Sequence, residues 1–134
     1  MVDISDWNDL ANAGTSDTLI LQNTLDKNTA GYSGIGDSWT GFSKNAFTGT
    51  VDGNGYAIKD LKSNVSNQDI GLFREIDGGL VQQLIVDVDI THTGSGNIGG
   101  ICGTFRSGTI RKCSMFGKVD AGGRVGGAFG IGYS

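Results

Sequence analysis

The sequence predicts an all-β protein whose short strands stack coil upon coil, as in a parallel β-helix. The first observation is a motif at residues 97–103, Asn-Ile-Gly-Gly-Ile-Cys-Gly, which has relatives at 69–73 and 124–130. Ile98 follows Ile70 by 98 − 70 = 28 positions, and Val125 follows Ile98 by 125 − 98 = 27. A self-similarity at a period of about 20–50 residues is typical of solenoid proteins.

Composition supports the same fold class. The chain has 134 residues, the size of one domain, and contains 24 glycines but no proline. Because glycine tolerates positive φ, this composition suits a fold with many tight corners. An antiparallel β-sandwich is the alternative, but the near-constant spacing of one motif favours stacked coils.

Charge, hydropathy and cysteine content narrow the choice of partners and cofactors. The net charge is 10 − 14 = −4 with no basic patch, which argues against a nucleic-acid partner. The apolar run at Leu84 is interrupted by Asp87 and Asp89, so we predict no membrane insertion. The first residues lack the regions of a signal peptide. Cys102 and Cys113 are too few for a disulfide framework or a zinc site, and we expect buried free thiols.

Residues 1–14 predict a helical cap on the first coil. Ser5 or Asp6 is the expected N-cap, and Gly14 the expected C-terminal stop. A lone helix with one apolar face must lay that face on something, and the end of the first coil is the natural partner. That face, spaced i, i+3, i+4, consists of Trp7, Leu10 and Ala11.

Residues 15–57 are predicted to supply the initial strands and a long loop. Apolar and β-branched segments at 18–25 and 46–51 predict strands. The polar, glycine-bearing segment between them indicates a loop, which Trp39 and Phe42 are expected to hold against the body. Residues 52–55, Asp-Gly-Asn-Gly, are a turn signal. Their alternating oxygen atoms are also typical of part of a calcium loop, but the bidentate Glu of such a loop is absent.

Residues 58–134 are predicted to form the repeating coils, of which the last is incomplete. Apolar pairs three positions apart are predicted to be equivalent in successive units: Ile58 with Leu61, Val81 with Leu84, and Ile110 with Cys113. A period-2 alternation predicts that one face of the next strand is buried and that its carboxylates point outward. The buried face consists of Leu84, Val86, Val88 and Ile90, and the outward face of Ile85, Asp87 and Asp89. The predicted stacks are Leu72–Ile101–Ala128 and Phe73–Cys102–Phe129.

At residues 100–103 and 127–130, Gly-Ile-Cys-Gly and Gly-Ala-Phe-Gly, the chain resembles the GLUG repeat family, named for its Gly-Leu-hydrophobic-Gly core. The copy at 71–74 departs from that core at Arg74. The family occurs in large bacterial and archaeal surface proteins, including adhesin-like proteins and the N-terminal regions of immunoglobulin-A-cleaving metallopeptidases. The resemblance implies a right-handed β-helix with an N-terminal cap. It implies no catalysis, because the chemistry of those proteins lies in other domains.

An enzymatic function is a further hypothesis, because right-handed β-helices include polysaccharide lyases and hydrolases. The candidate residues are Asp87 and Asp89, with Arg111, Lys112 and Lys118 on the neighbouring unit. Paired carboxylates act as general acid and base when burial raises one pKa. A solvated strand face with charge pairing between coils is favoured, because no aromatic-rich groove or third carboxylate accompanies the pair.

No other set of residues predicts a catalytic or ligand-binding centre. The only histidine, His92, lies in a predicted loop at 91–96, without a second histidine or a nucleophile placed by a motif. We therefore predict no catalytic residues, no cofactor-binding residues, no metal ligands and no cofactor.

The last unit begins at Val125, and the sequence stops before its second strand. We expect an open coil there, because unpaired strand edges are templates for further pairing. The predicted partner is a protein or another copy of the chain at this end, with surface glycans as a further candidate. The candidate assembly surface consists of Val125, Ala128, Phe129, Ile131 and Tyr133.

The predicted function is that of a non-catalytic structural and interaction module of a surface or adhesin-like protein. Its predicted location is extracellular or at the cell surface. The alternative is a self-assembling subunit of a virion or extracellular filament that uses the open C-terminal coil. A carbohydrate-active enzyme is the third hypothesis.

Overall fold

The computed structural model describes residues 1–34, 46–66, 70–93, 96–121, 124–125 and 129–132. These residues form mostly β-strands, with a short helix α1 (Trp7–Asn12) and a 3-10 turn at Tyr32–Gly34. Within this part of the chain, no helix is long and apolar enough to cross a membrane. The strands are β1 (Val2–Ile4), β2 (Thr18–Leu21), β3 (Thr50–Asp52), β4 (Ala57–Ser66), β5 (Phe73–Gln82), β6 (Ile85–Thr93), β7 (Asn97–Ile98), β8 (Cys102–Arg111), β9 (Ser114–Ala121), β10 (Arg124–Val125) and β11 (Phe129–Gly132).

The strands belong to three sheets, and all their pairings are parallel. Sheet A has the order β1-β2-β3-β5-β8-β11, sheet B the order β4-β6-β9, and β7 pairs with β10. The chain leaves sheet A for sheet B three times, from β3 to β4, from β5 to β6 and from β8 to β9. The prediction of an all-β protein with stacked parallel strands is confirmed.

The register advances by nearly the same number of residues at each pass of the chain. In sheet A, Val51 lies opposite Val81, an advance of 81 − 51 = 30, and Val81 lies opposite Ile110, an advance of 110 − 81 = 29. In sheet B, Val86 lies opposite Met115, and 115 − 86 is again 29. This constancy is the three-dimensional counterpart of the sequence period.

The motif copies also meet in space. Ile70 forms a parallel bridge with Ile98, and Val125 pairs with Ile98 from the other side. The backbone positions of the second predicted stack are likewise in register, in the order Phe73, Cys102 and Phe129.

The predicted equivalence of Ile58 with Val81 is wrong. Val81 pairs with Val51, and Ile58 pairs with Val86, which places β4 in sheet B. The reason is the position of the corner relative to each apolar pair. Ile58 and Leu61 both lie within β4, after the corner, whereas Val81 lies in β5 and Leu84 in the corner that follows it. The corner at residues 53–56 is also two residues longer than that at residues 83–84, so the advance is 30 from Val51 to Val81 but 86 − 58 = 28 from Ile58 to Val86.

The core lies between the sheets and follows the predicted alternation. On β6 and the residue before it, the buried side chains are Leu84, Val86, Val88 and Ile90. Asp87 is half-buried and Asp89 exposed, so both carboxylates point away from the core. The rings of Phe47 and Phe73 stack in the same core with centroids 4.5 Å apart. Apolar burial of this kind is the main favourable term in folding.

Helix α1 buries one face at the N-terminal end. Asp6 is its N-cap and accepts a 2.9 Å hydrogen bond from the backbone N–H of Asp9, which satisfies one free donor of the first turn. Trp7 and Leu10 are fully buried in the core, as predicted. Ala11 is exposed, so its assignment to the apolar face is wrong. A six-residue helix has room for one turn of contact on that face.

The segment before the helix is a strand. Val2–Ile4 (β1) pairs in parallel with β2, so Ile4 is buried in sheet A and not on the helix. The helix ends at Asn12 with extended backbone at Ala13 (φ −72°, ψ 151°), and Gly14 is not its stop. Short helices are marginal in water, and the pairing of β1 with β2 supplies backbone hydrogen bonds to this segment instead.

Candidate functional site

The chain turns sharply where it passes from sheet A to sheet B. Between β5 and β6 the connection is Gln83 and Leu84, and between β8 and β9 it is Lys112 and Cys113. Gln83 and Lys112 have left-handed backbone conformations, with φ of 52° and 53°. The residue that follows points inward, since Leu84 is buried and Cys113 half-buried. One left-handed residue thus suffices to redirect the chain.

The longer corner between β3 and β4 contains a turn of the predicted kind. Tyr56 donates its backbone N–H to the carbonyl of Gly53 at 2.8 Å, and the two central residues, Asn54 and Gly55, have φ of 54° and 81°. Two positive φ values make this a type I′ turn. It joins two sheets here and not two strands of a hairpin. Asn54 therefore lies at the same corner as Gln83 and Lys112.

These three corners border one open groove on the outside of the molecule. The groove has a volume of about 460 Å³ and crosses three successive passes of the chain. Its lining residues are Asn54, Gly55, Gln83, Ile85, Lys112 and Ser114.

The polar side chains of the groove make few bonds within the protein. The Asn54 amide donates to the carbonyl of Leu21 at 3.4 Å. The side chains of Gln83, Lys112 and Ser114 are exposed and form no hydrogen bond or ion pair with any other described residue. An amide, an ammonium group and a hydroxyl group are thus available to a ligand.

Next to the groove, at the end of sheet A, the side chains of Asp52, Gln82 and Arg111 form a column in which they bond to one another. The guanidinium of Arg111 donates two hydrogen bonds to Gln82 Oε1, from Nε at 2.9 Å and Nη2 at 2.6 Å. Gln82 Nε2 in turn donates to Asp52 Oδ2 at 3.3 Å. This ladder fixes the edge of the groove, and it uses two of the five N–H donors of Arg111.

The acidic pair of the enzymatic hypothesis lies on the outer face of sheet B. Asp87 is in register with Phe116, and Asp89 is flanked by Lys62 on one side and Lys118 on the other. A basic and an acidic residue directly opposite each other, as Lys62 and Asp89 are, is the arrangement expected for charge pairing between coils. Among the described residues, no group of three or more His, Cys, Asp or Glu side chains is gathered for a metal ion.

The structure places the other singled-out residues as follows. His92 belongs to β6, so its assignment to a loop is wrong; its backbone pairs with Val65 and Ala121. Both cysteines are free thiols, as predicted, although Cys113 is half-buried where full burial was predicted. Trp39 and Phe42 lie outside the described residues.

Burial raises the pKa of both thiols. For Cys102 burial is the larger cause and the negative charge of Glu75 the smaller, and together they raise its pKa to about 12. For Cys113 burial raises the pKa, and backbone hydrogen bonds from Leu84 and Arg111 partly offset it. Because the thiolate is the nucleophile and metal ligand, neither thiol is activated at neutral pH.

Of the five candidate assembly residues, three have a described backbone. Val125 (β10) pairs with Ile98, while Phe129 and Ile131 (β11) pair with Cys102 and Thr104. Ala128 and Tyr133 lie outside the described residues. The assembly surface stays a prediction.

Comparison with known proteins gives one relative. The chain is 37% identical to halomucin from Haloquadratum walsbyi (strain DSM 16790 / HBSQ001) over an aligned stretch of 86 residues. That stretch is 63% of this chain and 1% of halomucin. The chain thus spans about a hundredth of the length of the relative it matches. No family model matches the chain, and no solved structure matches it.

From the sequence, Lys112 is a candidate site residue, whereas Asn54 and Gln83 are not expected beside it. Gln83 and Lys112 lie 112 − 83 = 29 positions apart, each directly before an inward-pointing corner residue, Leu84 or Cys113. The apolar residues show the same period, and extending it to the polar residue before Leu84 and Cys113 finds the column.

Proposed function

We propose that this chain is a non-catalytic structural and interaction module of a surface protein, built as a parallel β-helix. The observation that carries the proposal is the register, which advances by 29 or 30 residues between β3, β5 and β8 and by 29 between β6 and β9. Parallel strands that follow each other at a fixed advance are the arrangement of a solenoid, in which each coil contacts its neighbours. From the resemblance to the GLUG repeat, we propose that this β-helix is right-handed.

The similarity to halomucin supports the location. The relative is a surface protein of an archaeon, and the matched stretch occupies 1% of it. A module embedded in such a long chain serves as a spacer or an interaction unit. We therefore propose a cell-surface location for the protein that carries this chain.

A deletion of one complete coil tests the β-helix. Removing residues 82–110 joins Val81 to Arg111, which takes the place of Gln82 in the register. Because repeat stability is roughly a sum over units and their interfaces, we expect a folded but less stable protein, with a strand-type circular dichroism spectrum and cooperative melting. Removal of residues 82–96 alone, about half a unit, is the matched control and should abolish folding. Equal loss of structure in both deletions would contradict the proposal.

A second candidate function is self-stacking into a filament or shell. It is favoured by the outermost strands, since β9 and β11 each pair with one neighbour among the described strands. Exposed strand edges promote pairing with another chain. Sedimentation velocity at several protein concentrations tests this alternative, and a strictly monomeric protein would exclude it. The third hypothesis, carbohydrate turnover, requires activity on acidic polysaccharides that is lost in Asp87→Ala or Asp89→Ala.

A further inference from the structure

We propose that the groove across the three corners binds a short segment of an acidic polysaccharide. In this assignment Lys112 pairs with a carboxylate or sulfate group, and the amides of Asn54 and Gln83 bond to sugar hydroxyl groups. The proposal deepens the interaction role proposed above and rests on it, in that binding occurs without turnover.

The backbone of the corners is the first argument. Gln83 and Lys112 adopt the left-handed conformation that a side chain makes unfavourable and that glycine adopts at no steric cost. At most other positive-φ positions the chain has glycine, such as Gly78, Gly108 and Gly117, and at Asp60 it has a short side chain whose carboxylate accepts a hydrogen bond from the backbone N–H of Lys27. At the groove it keeps two long polar side chains despite that cost. Strain retained at a site is grounds for a functional hypothesis.

The free polar groups are the second argument. The side chains of Gln83, Lys112 and Ser114 have no partner among the described residues, whereas in the adjacent column Asp52, Gln82 and Arg111 bond to one another. The groove therefore presents donors and acceptors that the fold does not use.

Charge indicates an anionic ligand. The protein as a whole carries a net charge of −4, yet Lys112 is the charged residue among those that line the groove, and they include no carboxylate. The nearby Asp52 carboxylate accepts hydrogen bonds from Gln82 and from the backbone N–H of Asn54. One ammonium group surrounded by neutral hydrogen-bond donors and acceptors can bind a ligand that has an anionic group among uncharged polar groups.

The backbone of the groove favours a saccharide over an acidic peptide. The N–H groups of Gly55, Gln83 and Ile85 donate to carbonyls of the neighbouring passes, those of Gln83, Arg111 and Tyr56 respectively. A peptide cannot add to the sheet there, because strand addition requires unpaired backbone groups. A ligand must therefore be recognised by the side chains of the groove, whose amide, ammonium and hydroxyl groups can form hydrogen bonds with the hydroxyl groups of a sugar.

Apolar surface completes the site. Ile85 supplies a half-buried apolar patch within the groove. Phe116 follows Ser114 by two residues on the same outward face of β9 and is 58% exposed, so its ring can cover the face of a further sugar unit. A volume of about 460 Å³ with a few placed polar groups is within the range of small-molecule sites.

Isothermal titration of the full chain tests the proposal with three probes of known chemistry. They are tetragalacturonate, its methyl ester, which lacks the charge, and N-acetyl-tetraglutamate amide, an acidic peptide with the same number of carboxylates. We expect tetragalacturonate to bind about threefold to fivefold more tightly than its methyl ester, the range of one exposed charge pair, and we expect at most weak binding of the peptide. Comparable binding of the ester or of the peptide would overturn the assignment of an acidic saccharide, and failure of all three probes to bind would overturn the site.

Substitutions then locate the binding. Lys112→Gln should weaken tetragalacturonate binding by about threefold to fivefold, the range of an exposed charge pair. Lys27→Gln removes an equally exposed charge outside the groove and should leave binding unchanged. Gln83→Gly should weaken binding while leaving the melting temperature equal or higher, because it removes the left-handed strain. Equal affinity in Lys112→Gln and the parent would place the binding elsewhere and overturn the proposal.

The same samples separate this proposal from the one on which it rests. Chromatography of tetragalacturonate after prolonged incubation should recover it intact. Binding followed by shortening of the oligosaccharide would support the groove but contradict the non-catalytic function. Intact oligosaccharide with no binding would contradict the groove alone.

Discussion

At the scale of single residues, the buried polar side chains lead to the most specific predictions about stability. Cys102 is fully buried on β8, and its pKa of about 12 means that the folded chain retains the thiol proton in alkaline solution. Ser63 and Thr104 are the buried hydroxyl residues, each 3% exposed. The Thr104 hydroxyl accepts a 3.1 Å hydrogen bond from Asn97, whereas the Ser63 hydroxyl has no partner in the described part of the chain.

The raised pKa of the Cys102 thiol predicts that the folded protein loses stability in alkaline solution. The unfolded thiol ionises near its ordinary pKa of 9.0 and the folded thiol near 12, so its stabilising contribution is complete below pH 9 and is lost between pH 9 and 12. The free energy of unfolding should fall by about 1.4 kcal/mol per pH unit in that window. Urea unfolding of the parent and of Cys102→Ala, compared across the window, isolates this effect. An identical slope in both proteins would show that the thiol does not contribute.

Ser63 predicts a stabilising substitution. Burying a hydroxyl group without a hydrogen bond costs about 1–3 kcal/mol, so Ser63→Ala should raise the free energy of unfolding by about 1 kcal/mol. Thr104→Ala is the control, because it removes a bonded hydroxyl at equal burial and should lower stability by about 1 kcal/mol or more. Chemical denaturation measures both. A destabilised Ser63→Ala would mean that the hydroxyl has a partner in the folded protein.

At the scale of strands, close approach of β5 and β8 depends on one glycine. Gly108 has φ of 119°, and a Cβ atom there would collide with the carbonyl oxygen of Gly79 on the neighbouring strand. Gly78 also has positive φ (90°), but a Cβ atom added to it meets no atom within 4 Å. The two positions therefore share backbone strain and differ in contact with the neighbouring coil.

This difference predicts that alanine at Gly108 lowers the free energy of unfolding more than alanine at Gly78 does. Gly78→Ala should cost about 1 kcal/mol, the usual penalty of a side chain at positive φ. Gly108→Ala should cost about 3 kcal/mol or more, because the strands must also separate. Midpoints of urea unfolding at equal m-values give both numbers. Similar losses would indicate that the strands are not as close as the register implies.

At the scale of the whole molecule, one stack of apolar side chains connects successive passes of the chain. Ile101 is 1% exposed in that core, adjacent to the strand that carries Cys102. Each pass covers the apolar side chains of the one before it, so a charge inside the stack lacks both water and a partner.

Ile101→Asp should therefore prevent folding. The lost burial of isoleucine costs about 2–5 kcal/mol and the unpaired buried charge several kcal/mol more, and the sum is comparable with the total stability of about 5–15 kcal/mol that is usual for a domain. Thr109→Asp introduces the same group at an exposed position on β8, opposite Leu80, and should leave the thermal transition nearly unchanged. Circular dichroism melting compares the two. Cooperative melting of Ile101→Asp at the parent temperature would contradict the interior assignment.

Part of the architecture was readable from the sequence because it depends on local pattern. The alternation from Leu84 to Ile90 determined which side chains face the core, since successive strand residues point to opposite sides. The recurrence of Ile70, Ile98 and Val125 determined that the copies stack in parallel. The Asp6 N-cap and the burial of Trp7 also followed from residue type and helical spacing.

The tertiary structure alone decided which strands pair and which polar side chains stay without a partner. Ile58 lies in β4, after the corner, whereas Val81 lies in β5, before it, and apolar spacing does not encode where the corner falls. The period of 29 relates Asn54, Gln83 and Lys112, but it equally relates Gln82 and Arg111, which bond to each other. Strand pattern is set by neighbours along the chain, whereas these bonds are set by neighbours across it. That is why the sequence determined a repetitive all-β chain, and the fold alone decided which polar groups of that chain are exposed in the groove.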